Sequence, residues 1–359
     1  NRSPRSRLLC SSRNSATPMA RVTISDIAKG AGVSKTTVSF AFNTPERLPA
    51  DTVQRILKVA EELGYVPNPI ARSMTSNRTG NIGLLFPQPV QTILNNPYTL
   101  ELLQGIGQVC DAHGLNIVLV SPRLGNMRQA VSAAVVDGFL TIGLEHYKST
   151  IRLLEQREIP YVMVDSDPHP GAICVNIDDE TGAYAAMRHV LEQGHRDIVI
   201  LGIESGKHGR FDEYVGTIRY RMRGYQRALA EFGLTLNGER VRLVECPCTA
   251  AGGANAFDHL LREQRLPTAF VAMADILAVG LLETSIRHGL SVPKHFSIVG
   301  FDDLPIARWL HPPLTTVTQP VHEKGVLAAE LLRRHMAGEA PIQDHVLPTR
   351  LIERRSVAS

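Results

Sequence analysis

Hydrophobic residues recur at helical spacing in three short stretches between residues 22 and 63. Thr23 and Ser34 precede the first two stretches and are the expected N-caps, and Gly30 and Gly32 are expected to end the first. The third stretch predicts a helix over residues 51–63, with an apolar stripe of Val53, Ile56, Leu57, Ala60 and Leu63. Three small helices joined by tight turns predict one compact unit.

Residues 66–80 have the pattern of a linker. Asn68-Pro69 is typical of a helix start, because Pro favours the first helical position, and it predicts a short helix over Pro69–Thr75. Nucleating so short a helix is costly. We therefore expect coil when these residues are free and a helix only when a partner supports them.

From Asn81 onward, apolar runs typical of strands alternate with amphipathic helical stretches. The predicted strands are Ile82–Phe86, Asn116–Val120, Gly138–Ile142, Tyr161–Val164, Cys174–Ile177, Ile198–Leu201, Val241–Val244, Ala269–Met273 and Ser297–Phe301. The predicted helices are Thr99–His113, Glu180–Glu192, Tyr220–Phe232, Ala251–Gln264 and Leu277–His288. Continuous apolar strands separated by helices predict parallel sheets covered on both faces. Two such series predict two similar α/β lobes with a ligand crevice at the carboxyl ends of their strands.

The composition agrees with a folded protein of more than one domain. The chain has 359 residues, of which 43% are hydrophobic and 20% charged, which excludes a disordered or collagen-like chain. Acidic or basic residues interrupt every long apolar run, so we expect no membrane association. Aromatic residues make up only 5%, which argues against a platform of exposed rings for stacking bases.

The net charge of +3 is distributed unevenly. Residues 1–18 carry four Arg and no acidic residue, and residues 19–80 also carry a basic excess. This distribution favours an anionic partner at the N-terminal end, although a basic tail that binds nothing has the same composition.

The cysteines and the N-terminus indicate the compartment. The five Cys (Cys10, Cys110, Cys174, Cys246 and Cys248) have no metal-binding spacing and predict reduced, mostly buried thiols in a cytoplasmic protein. A signal peptide is the alternative for the N-terminus, but no apolar core precedes Cys10. Residues 1–20 are instead predicted to be a disordered leader, and Met19 is a plausible start of the native protein.

Val22–Asn43 has the pattern of a helix-turn-helix. Ala28, Ala31 and Gly32 are small enough for two helices to cross closely. Ser34 then begins a second helix whose N–H groups and hydroxyls can meet phosphates. Such a helix enters the major groove of DNA. A small helical hairpin without a ligand is the alternative that the spacing leaves open.

Several segments together resemble the lactose-repressor (LacI/GalR) family of bacterial transcription regulators. They are Ile24–Asn43, Leu63–Met74, Asn81–Pro87, Arg219–Leu229, Pro267–Leu282, Ser297–Pro320 and Leu347–Ser356, in the order that the family has them. The resemblance covers residues 21–356. It implies an α/β fold class: an N-terminal three-helix helix-turn-helix head and a two-lobed periplasmic-binding-protein-like α/β effector domain. The expected parts are a leader (1–20), the DNA-binding domain (21–66), a hinge helix and linker (67–80) and an effector-binding and dimerisation domain (81–359).

The resemblance also places DNA-binding residues. In the head they are Thr23, Ser34, Lys35, Thr36, Thr37, Ser39, Phe40 and Asn43, and in the hinge Asn68, Ala71, Arg72 and Met74. Lys35 can donate to guanine or to a phosphate, and Thr36 can contact a thymine methyl. Phe40 stands where Arg is common, and packing against the first helix is its alternative role. Met74 replaces the usual Leu of an apolar wedge in the minor groove.

In the effector domain the resemblance places Arg221 and Asp275 in the cleft, where each can bind two hydroxyls of a polyol or groups of a nucleobase. Their alternative roles are a solvated helix charge and the N-cap of a helix near Ile276. Weaker candidates are Tyr98, Ser121, Asp165 and Gln319, at strand ends or lobe crossings.

These residues predict a ligand-responsive, DNA-binding repressor of carbohydrate-utilisation genes. Its expected partners are a near-palindromic double-stranded operator, a small-molecule effector of carbohydrate type and a second copy of itself, as a homodimer or a tetramer. A sugar-binding receptor of the periplasmic type and an α/β enzyme acting in the cleft are the alternatives. We expect no cofactor and no metal, and no cluster of nucleophile, base and orienting acid supports catalysis.

Overall fold

The computed structural model describes residues 22–66, 78–122, 125–143, 148–204, 213–339 and 343–358. The chain divides into two compact units, Asn1–Thr79 and Gly80–Ser359. The predicted leader and the predicted helix Pro69–Thr75 lie outside the described residues. Each unit is described by itself below.

The described residues of the first unit form three α-helices, α1 (Ile24–Ala31), α2 (Lys35–Asn43) and α3 (Ala50–Glu62). Its core includes one fully buried residue from each helix: Ile27, Val38 and Ile56. Apolar residues from all three helices therefore share one small core, as the helical spacing predicted.

The ends of α1 show why the helix-turn-helix is tight. Thr23 caps the helix, and its backbone N–H donates to Asp26 Oδ2 over 2.9 Å. Gly32 follows the helix with φ 66°, a left-handed conformation that favours glycine. Gly30, which was expected to end the helix, lies inside it, where a Cβ would stand 2.7 Å from Val59 Cγ1. Gly30 therefore allows α3 to pack closely against α1.

The stripe predicted for α3 is partly wrong. Ile56 and Ala60 are buried, but Leu57 and Leu63 are 43% and 41% exposed. Val59 packs against the core of the head instead. The buried face of α3 is rotated around the helix relative to the predicted apolar stripe, so residues at the edge of that stripe face solvent.

The second unit holds two six-stranded sheets. Their strands are β1 (Asn81–Leu85), β2 (Asn116–Val120), β3 (Gly138–Ile142), β4 (Tyr161–Val164), β5 (Ile173–Ile177), β6 (Ile198–Ile203), β7 (Val241–Cys246), β8 (Ala269–Ala272), β9 (Ser297–Asp302), β10 (Thr315–Thr318), β11 (His345–Leu347) and β12 (Arg350–Ile352). The helices are α4 (Val90–Leu94), α5 (Pro97–His113), α6 (Met127–Ala133), α7 (Lys148–Gln156), α8 (Asp179–Glu192), α9 (Gly216–Glu231), α10 (Ala250–Arg262), α11 (Asp275–Arg287), α12 (Pro305–Trp309) and α13 (Val321–Met336).

Each sheet forms the centre of one lobe. The first lobe has the strand order β11-β5-β4-β3-β1-β2 and the second the order β12-β10-β9-β8-β6-β7. The pairing is parallel except for β12, which runs antiparallel to β10. Apolar clusters cover both faces of each sheet. The two lobes therefore repeat one arrangement, as the two predicted series of strands indicated.

The chain passes between the lobes at three places. It enters the second lobe after β5, returns after β10 so that α13 packs on α5, and crosses again between β11 and β12. These crossings keep the carboxyl ends of the central strands of both sheets facing one crevice.

The nine predicted strands and five predicted helices of this unit are present, with ends that differ by at most four residues. The strands β10, β11 and β12, which are short or rich in Thr, were not predicted, and the named helices did not include α4, α6, α7, α12 or α13. The described part of the chain contains no helix long and apolar enough to cross a membrane.

Candidate functional site

One face of α2 presents polar side chains away from the core. Val38 and Ala41 are buried, whereas Lys35 and Thr36 are exposed. Because residues four apart share a helix face, Thr36 and Phe40 lie side by side, as do Lys35 and Ser39. The helix can therefore offer this face to a groove while the opposite face holds the head together.

The hydroxyls of α2 are organised by local hydrogen bonds. Ser34 Oγ accepts from the Thr37 N–H over 3.0 Å and lies 2.8 Å from Thr37 Oγ1. Asn43 Nδ2 donates to Ser39 Oγ over 3.2 Å. The N-cap predicted at Ser34 is confirmed by this geometry.

Phe40 lies at the edge of the core. It is half-buried, and the Arg47 guanidinium carbon stands 5.8 Å from the centre of its ring. It is absent from the apolar cluster of the head, to which Phe42 belongs. Its ring is therefore held on the side where Thr36 is exposed. Asn68, Ala71, Arg72 and Met74, the predicted hinge contacts, lie outside the described residues.

A cavity of about 480 Å³ lies between the two lobes. The residues that follow β1, β3 and β4 line its first-lobe side, and those that follow β6, β7, β8 and β9 line its second-lobe side. Among the sequence-predicted residues, it is lined by Tyr98, Asp165, Arg221 and Gln319. This is the crevice that the strand pattern predicted, and its size suits a small molecule.

Arg221 is held rigidly at the cavity wall. Its Nε donates to Asp179 Oδ1 over 2.8 Å, its Nη1 donates to the carbonyl of Met273, and its guanidinium carbon stands 3.7 Å from the centre of the Phe301 ring. Burial opposes the charge of Arg221, but Asp179 and Asp302 outweigh it and its pKa lies above the ordinary value. Nη2 has no hydrogen-bond partner in the part of the chain that the structure describes, so it can donate to a ligand.

Asp302 lines the same second-lobe side of the cavity, at the carboxyl end of β9. It is buried, lines the cavity and accepts a hydrogen bond of 2.5 Å from Gln319 Nε2. Burial raises the pKa of Asp302 to about 6, although Arg221 and Gln319 act in the opposite direction. Its free lone pairs make it an acceptor for hydroxyl or N–H groups of a ligand.

Tyr98, Asp165 and Gln319 meet at one further residue, Lys324. Lys324 Nζ donates to Asp165 Oδ1 over 2.6 Å, to Gln319 Oε1 over 2.7 Å and to the Tyr98 hydroxyl over 3.1 Å. The Tyr98 hydroxyl in turn donates to Asp165 Oδ2. Burial, together with Asp165, raises the pKa of Tyr98 well above its ordinary value, so its hydroxyl stays protonated.

The structure does not bring Asp275 or Ser121 to the cavity. Asp275 is fully buried; its Oδ1 accepts from Thr316 Oγ1 over 2.6 Å and its Oδ2 from the Leu304 N–H over 2.9 Å. Burial and the neighbouring Asp302 raise the pKa of Asp275 well above its usual value. It holds the loop after β9 from behind and is not among the residues that line the cavity, so its expected contact with the effector stays a prediction. Ser121 follows β2 at the edge of its sheet, outside the cavity lining.

The expected alternative for Asp275 is wrong. Helix α11 begins at Asp275 itself and its N-cap is Ala274. The carboxylate therefore points across to β10 and α12 rather than back along its own helix.

The sequence patterns did not single out Asp302, which lines the cavity, or Lys324, which is buried behind residues that line it. Asp302 follows the predicted strand Ser297–Phe301, so the rule that ligands bind at strand ends would have found it. Lys324 is one charged residue among the buried apolar positions of α13, a helix that was not predicted.

In the part of the chain that the structure describes, neither the cysteines nor the ionisable residues form a metal site. Cys110, Cys174, Cys246 and Cys248 are free, and burial raises the pKa of Cys248, in the cavity wall, to about 12. No group of three His, Cys, Asp or Glu residues suited to a metal ion occurs in the described ranges.

Comparison with known proteins agrees with both parts of the structure. Residues 23–68 match the bacterial regulatory proteins of the lacI family, and residues 187–357 match a periplasmic binding protein-like domain. The HTH-type transcriptional repressor PurR of Haemophilus influenzae is 31% identical over 347 residues, which cover 94% of this chain and 99% of that relative. This chain belongs to the lacI family. It is accordingly a DNA-binding transcriptional regulator, as the resemblance predicted.

Two solved structures of lacI-family regulators share the fold. The complex of the transcriptional regulator CelR with cellobiose has a TM-score of 0.68 and 27% identity, and covers 94% of this chain and 100% of its own. The lac repressor dimer bound to operator and the anti-inducer ONPF has a TM-score of 0.77 and 24% identity, with the same coverage. The helix-turn-helix head and the two-lobed effector domain are thus confirmed.

Proposed function

We propose that this lacI-family protein represses carbohydrate-utilisation genes and is released from its operator by an uncharged, sugar-like effector bound between the lobes. The observation that carries the proposal is the cavity at the strand ends, where Arg221 presents a donor and Asp302 an acceptor in the same lining. Sugar hydroxyls both donate and accept, so they fit such a pair. The cellobiose complex of CelR supports the choice of ligand class.

DNA binding is proposed for the exposed face of α2. The side chains of Lys35 and Thr36 lie there without a hydrogen bond to another described residue and are the proposed base contacts. Thr23, Ser34, Thr37, Ser39 and Asn43 are the proposed phosphate contacts, with Phe40 against a thymine methyl. One head reads one half-site, so a homodimer requires a near-palindrome with half-sites about 34–36 Å apart.

The two sites are proposed to communicate through the hinge. The effector changes the arrangement of the lobes, and this alters the spacing at which two hinge segments, with Asn68, Ala71, Arg72 and Met74, can fold on DNA. Such coupling requires that the effector prefer one arrangement, and a preference of about 1–3 kcal/mol changes DNA affinity roughly 5- to 150-fold.

A two-stage screen tests the proposal. Thermal-shift measurements with sugars, nucleosides and nucleobases identify ligands, because a ligand of the native state raises its melting temperature. Fluorescence anisotropy with an operator fragment then measures release. We expect a neutral sugar to raise the melting temperature and weaken operator binding. Release by a nucleobase alone would contradict the carbohydrate assignment, and identical affinity for every DNA fragment would contradict regulation.

Base readout by α2 is tested by Lys35→Ala and Thr36→Ala. Each is exposed, so we expect the thermal stability of the protein to change little while affinity for one operator position falls by about 1–3 kcal/mol. Binding to a panel of single-base operator variants measures this. Lys58→Ala, an exposed position on α3, is the matched control. Unchanged ranking of the panel by both variants would place base readout elsewhere.

The two-lobed unit by itself would fit a periplasmic-type sugar receptor equally well, but membership of the lacI family argues against that alternative for the whole chain. The capped helix-turn-helix head is the observation that favours regulation. Sequence-specific DNA binding by the full chain separates the two.

A further inference from the structure

The strongest feature that the proposed function leaves unexplained is Lys324. Its side chain is 0% exposed, lies in the first turn of α13 and makes hydrogen bonds to Asp165, Gln319 and Tyr98. A buried ammonium carries a large desolvation cost, which close partners offset only when the geometry is good. It also lies near the positive end of the helix dipole, where a cation is unfavourable. An apolar side chain at this position would fill the space without the cost of burying a charge.

The backbone beneath Lys324 is closely packed. A Cβ on Gly325 would lie 2.4 Å from the Leu102 carbonyl oxygen, and a Cβ on Gly105 would lie 2.1 Å from the His322 carbonyl oxygen. Helices α5 and α13 thus touch at their backbones on either side of the lysine. Lys324 therefore has a defined position from which it orients its three partners, all of which line the cavity.

The charges around the cavity form pairs. Lys324 is paired with Asp165 at 2.6 Å, and Arg221 is paired with Asp179 at 2.8 Å. Asp302 lines the cavity without an ion pair to any described residue. Glu204 lies at the exposed rim of the same cavity. Among the described residues of the cavity interior, the presence of Lys324 leaves one unpaired carboxyl group and no unpaired cation.

We propose that Lys324 is a positioning and specificity-determining residue of the effector cavity. Its ammonium holds Asp165 and Gln319 as oriented hydrogen-bonding groups and cancels the charge of Asp165, so the cavity takes an uncharged polyhydroxyl compound and excludes its phosphorylated form. The inference rests on the proposed function, because it concerns the effector of the same cavity.

Changing the charge on either side of the pair should move selectivity in opposite directions. Lys324→Met keeps nearly the same side-chain shape but leaves Asp165 without a cation. The ammonium of an amino sugar can replace that of Lys324, so we expect its affinity to rise relative to that of the neutral sugar. Asp165→Asn keeps an acceptor for Tyr98 but leaves Lys324 without an anionic partner. We therefore expect the affinity for the sugar phosphate to rise relative to that for the neutral sugar. The double variant restores neutrality and should restore the preference of the parent.

The experiment uses the full chain and two matched sets of probes, D-glucose, D-glucosamine and D-glucose 6-phosphate, and D-ribose and D-ribose 5-phosphate. Calorimetric titration of the parent, the two single variants and the double variant gives the affinities, and operator binding without sugar is measured on the same samples. In the parent we expect a neutral sugar to bind at least about tenfold more tightly than its phosphate. In Lys324→Met we expect the ratio of glucosamine to glucose affinity to rise about tenfold. The exposed Lys294→Met is the control and should leave every ratio unchanged.

Three results would overturn the inference. They are equal affinity of the parent for sugar and sugar phosphate, single variants whose ratios stay within about twofold of the parent, or no binding of any neutral probe. If Lys324→Met fails to fold, Asp165→Asn still tests the predicted gain for the phosphates. Intact operator binding, together with release by a neutral sugar found in the two-stage screen, separates failure of this inference from failure of the proposed function.

Discussion

At the scale of single residues, the cleft contains residues whose backbone conformations are energetically unfavourable. Asp165 has φ 54° and Asp302 has φ 125°, both in the region that favours glycine. Each such conformation costs about 1–3 kcal/mol and persists only where the surrounding structure enforces it. Here the enforcing contacts are the Lys324–Asp165 and Gln319–Asp302 hydrogen bonds and the Asp275 carboxylate, which holds the Leu304 N–H. Both strained residues line the proposed effector cavity.

The raised pKa of Asp302 predicts a pH dependence of stability. An Asp in the unfolded chain titrates near about 3.9, so between there and about 6 the folded state binds more protons than the unfolded state. The contribution of Asp302 to the free energy of unfolding therefore falls as pH rises through that interval. Asp302→Asn removes the titration and keeps an acceptor for Gln319. We expect the variant to gain stability relative to the parent between pH 4.5 and pH 7, by roughly 1–3 kcal/mol.

Urea unfolding at a series of pH values measures the difference between Asp302→Asn and the parent. Asp111→Asn, at an exposed position on α5, is the control and should follow the parent at every pH. Parallel curves for the parent and Asp302→Asn would show that Asp302 titrates normally in the folded protein.

At the scale of elements, the site depends on how closely helices approach the sheets and one another. Helix α13 returns to the first lobe after β10 and packs on α5, which carries Tyr98 at its start. Small residues allow the contact, since Gly105 on α5 faces the His322 carbonyl and Gly325 on α13 faces the Leu102 carbonyl. The same contact brings Tyr98 and Lys324 within hydrogen-bonding distance.

Two glycines of α5 provide a matched test of this contact. Gly105→Ala places a Cβ 2.1 Å from the His322 carbonyl oxygen, whereas a Cβ on Gly107 meets nothing within 4 Å. We expect Gly105→Ala to lower the free energy of unfolding by about 1–3 kcal/mol through overpacking. Gly107→Ala should raise it by roughly 0.5–1 kcal/mol, because Ala favours the helix. Urea unfolding measures both, and equal effects of the two substitutions would contradict the close contact.

At the scale of the whole molecule, contacts within the second unit link the two lobes on more than one side of the cavity. Asp167 in the first lobe pairs with Arg219 in the second at 2.5 Å, and Gln319 joins Lys324 to Asp302 across a crossing segment. A ligand between the lobes adds to these links and so biases their arrangement. That bias is what the proposed allosteric mechanism requires.

The proposed homodimer needs an apolar surface, and α12 offers one. Trp309, the single Trp of the chain, is 76% exposed, and Ile306 on the same helix is 38% exposed. Trp309 also lines a surface cavity of about 520 Å³. We expect Trp309→Glu to shift the protein from dimer to monomer in sedimentation velocity and to weaken operator binding at least about tenfold, because two linked heads are lost.

Val135→Glu, at a position 66% exposed in the first lobe, is the control for Trp309→Glu and should remain dimeric. A Trp309→Glu protein that stays dimeric with full operator affinity would place the interface on another surface.

Local sequence patterns predicted much of this protein because they act over a few residues. The N-caps Thr23 and Ser34 and the stop at Gly32 depend only on neighbouring backbone groups, and they stand as predicted. The central strands could be identified from their own apolar runs, because both faces of a sheet that is covered on both sides must be apolar. The fold class and the position of the crevice followed from their order along the chain.

The site itself required the tertiary structure. Asp275 and Asp302 are both acidic residues next to a predicted strand, and only the path of β9 and the helix after β8 shows that Asp302 lines the cavity while Asp275 supports it from behind. Lys324 is 159 residues from Asp165 along the chain, and their ion pair exists because α13 crosses back between the lobes. The sequence by itself determined the elements and the family, because those depend on short-range periodicity and motifs. Packing between residues far apart in the sequence decided which charged groups are buried together. It also decided whether each of them faces the cavity, where it can contact a ligand, or faces the interior, where it supports the structure.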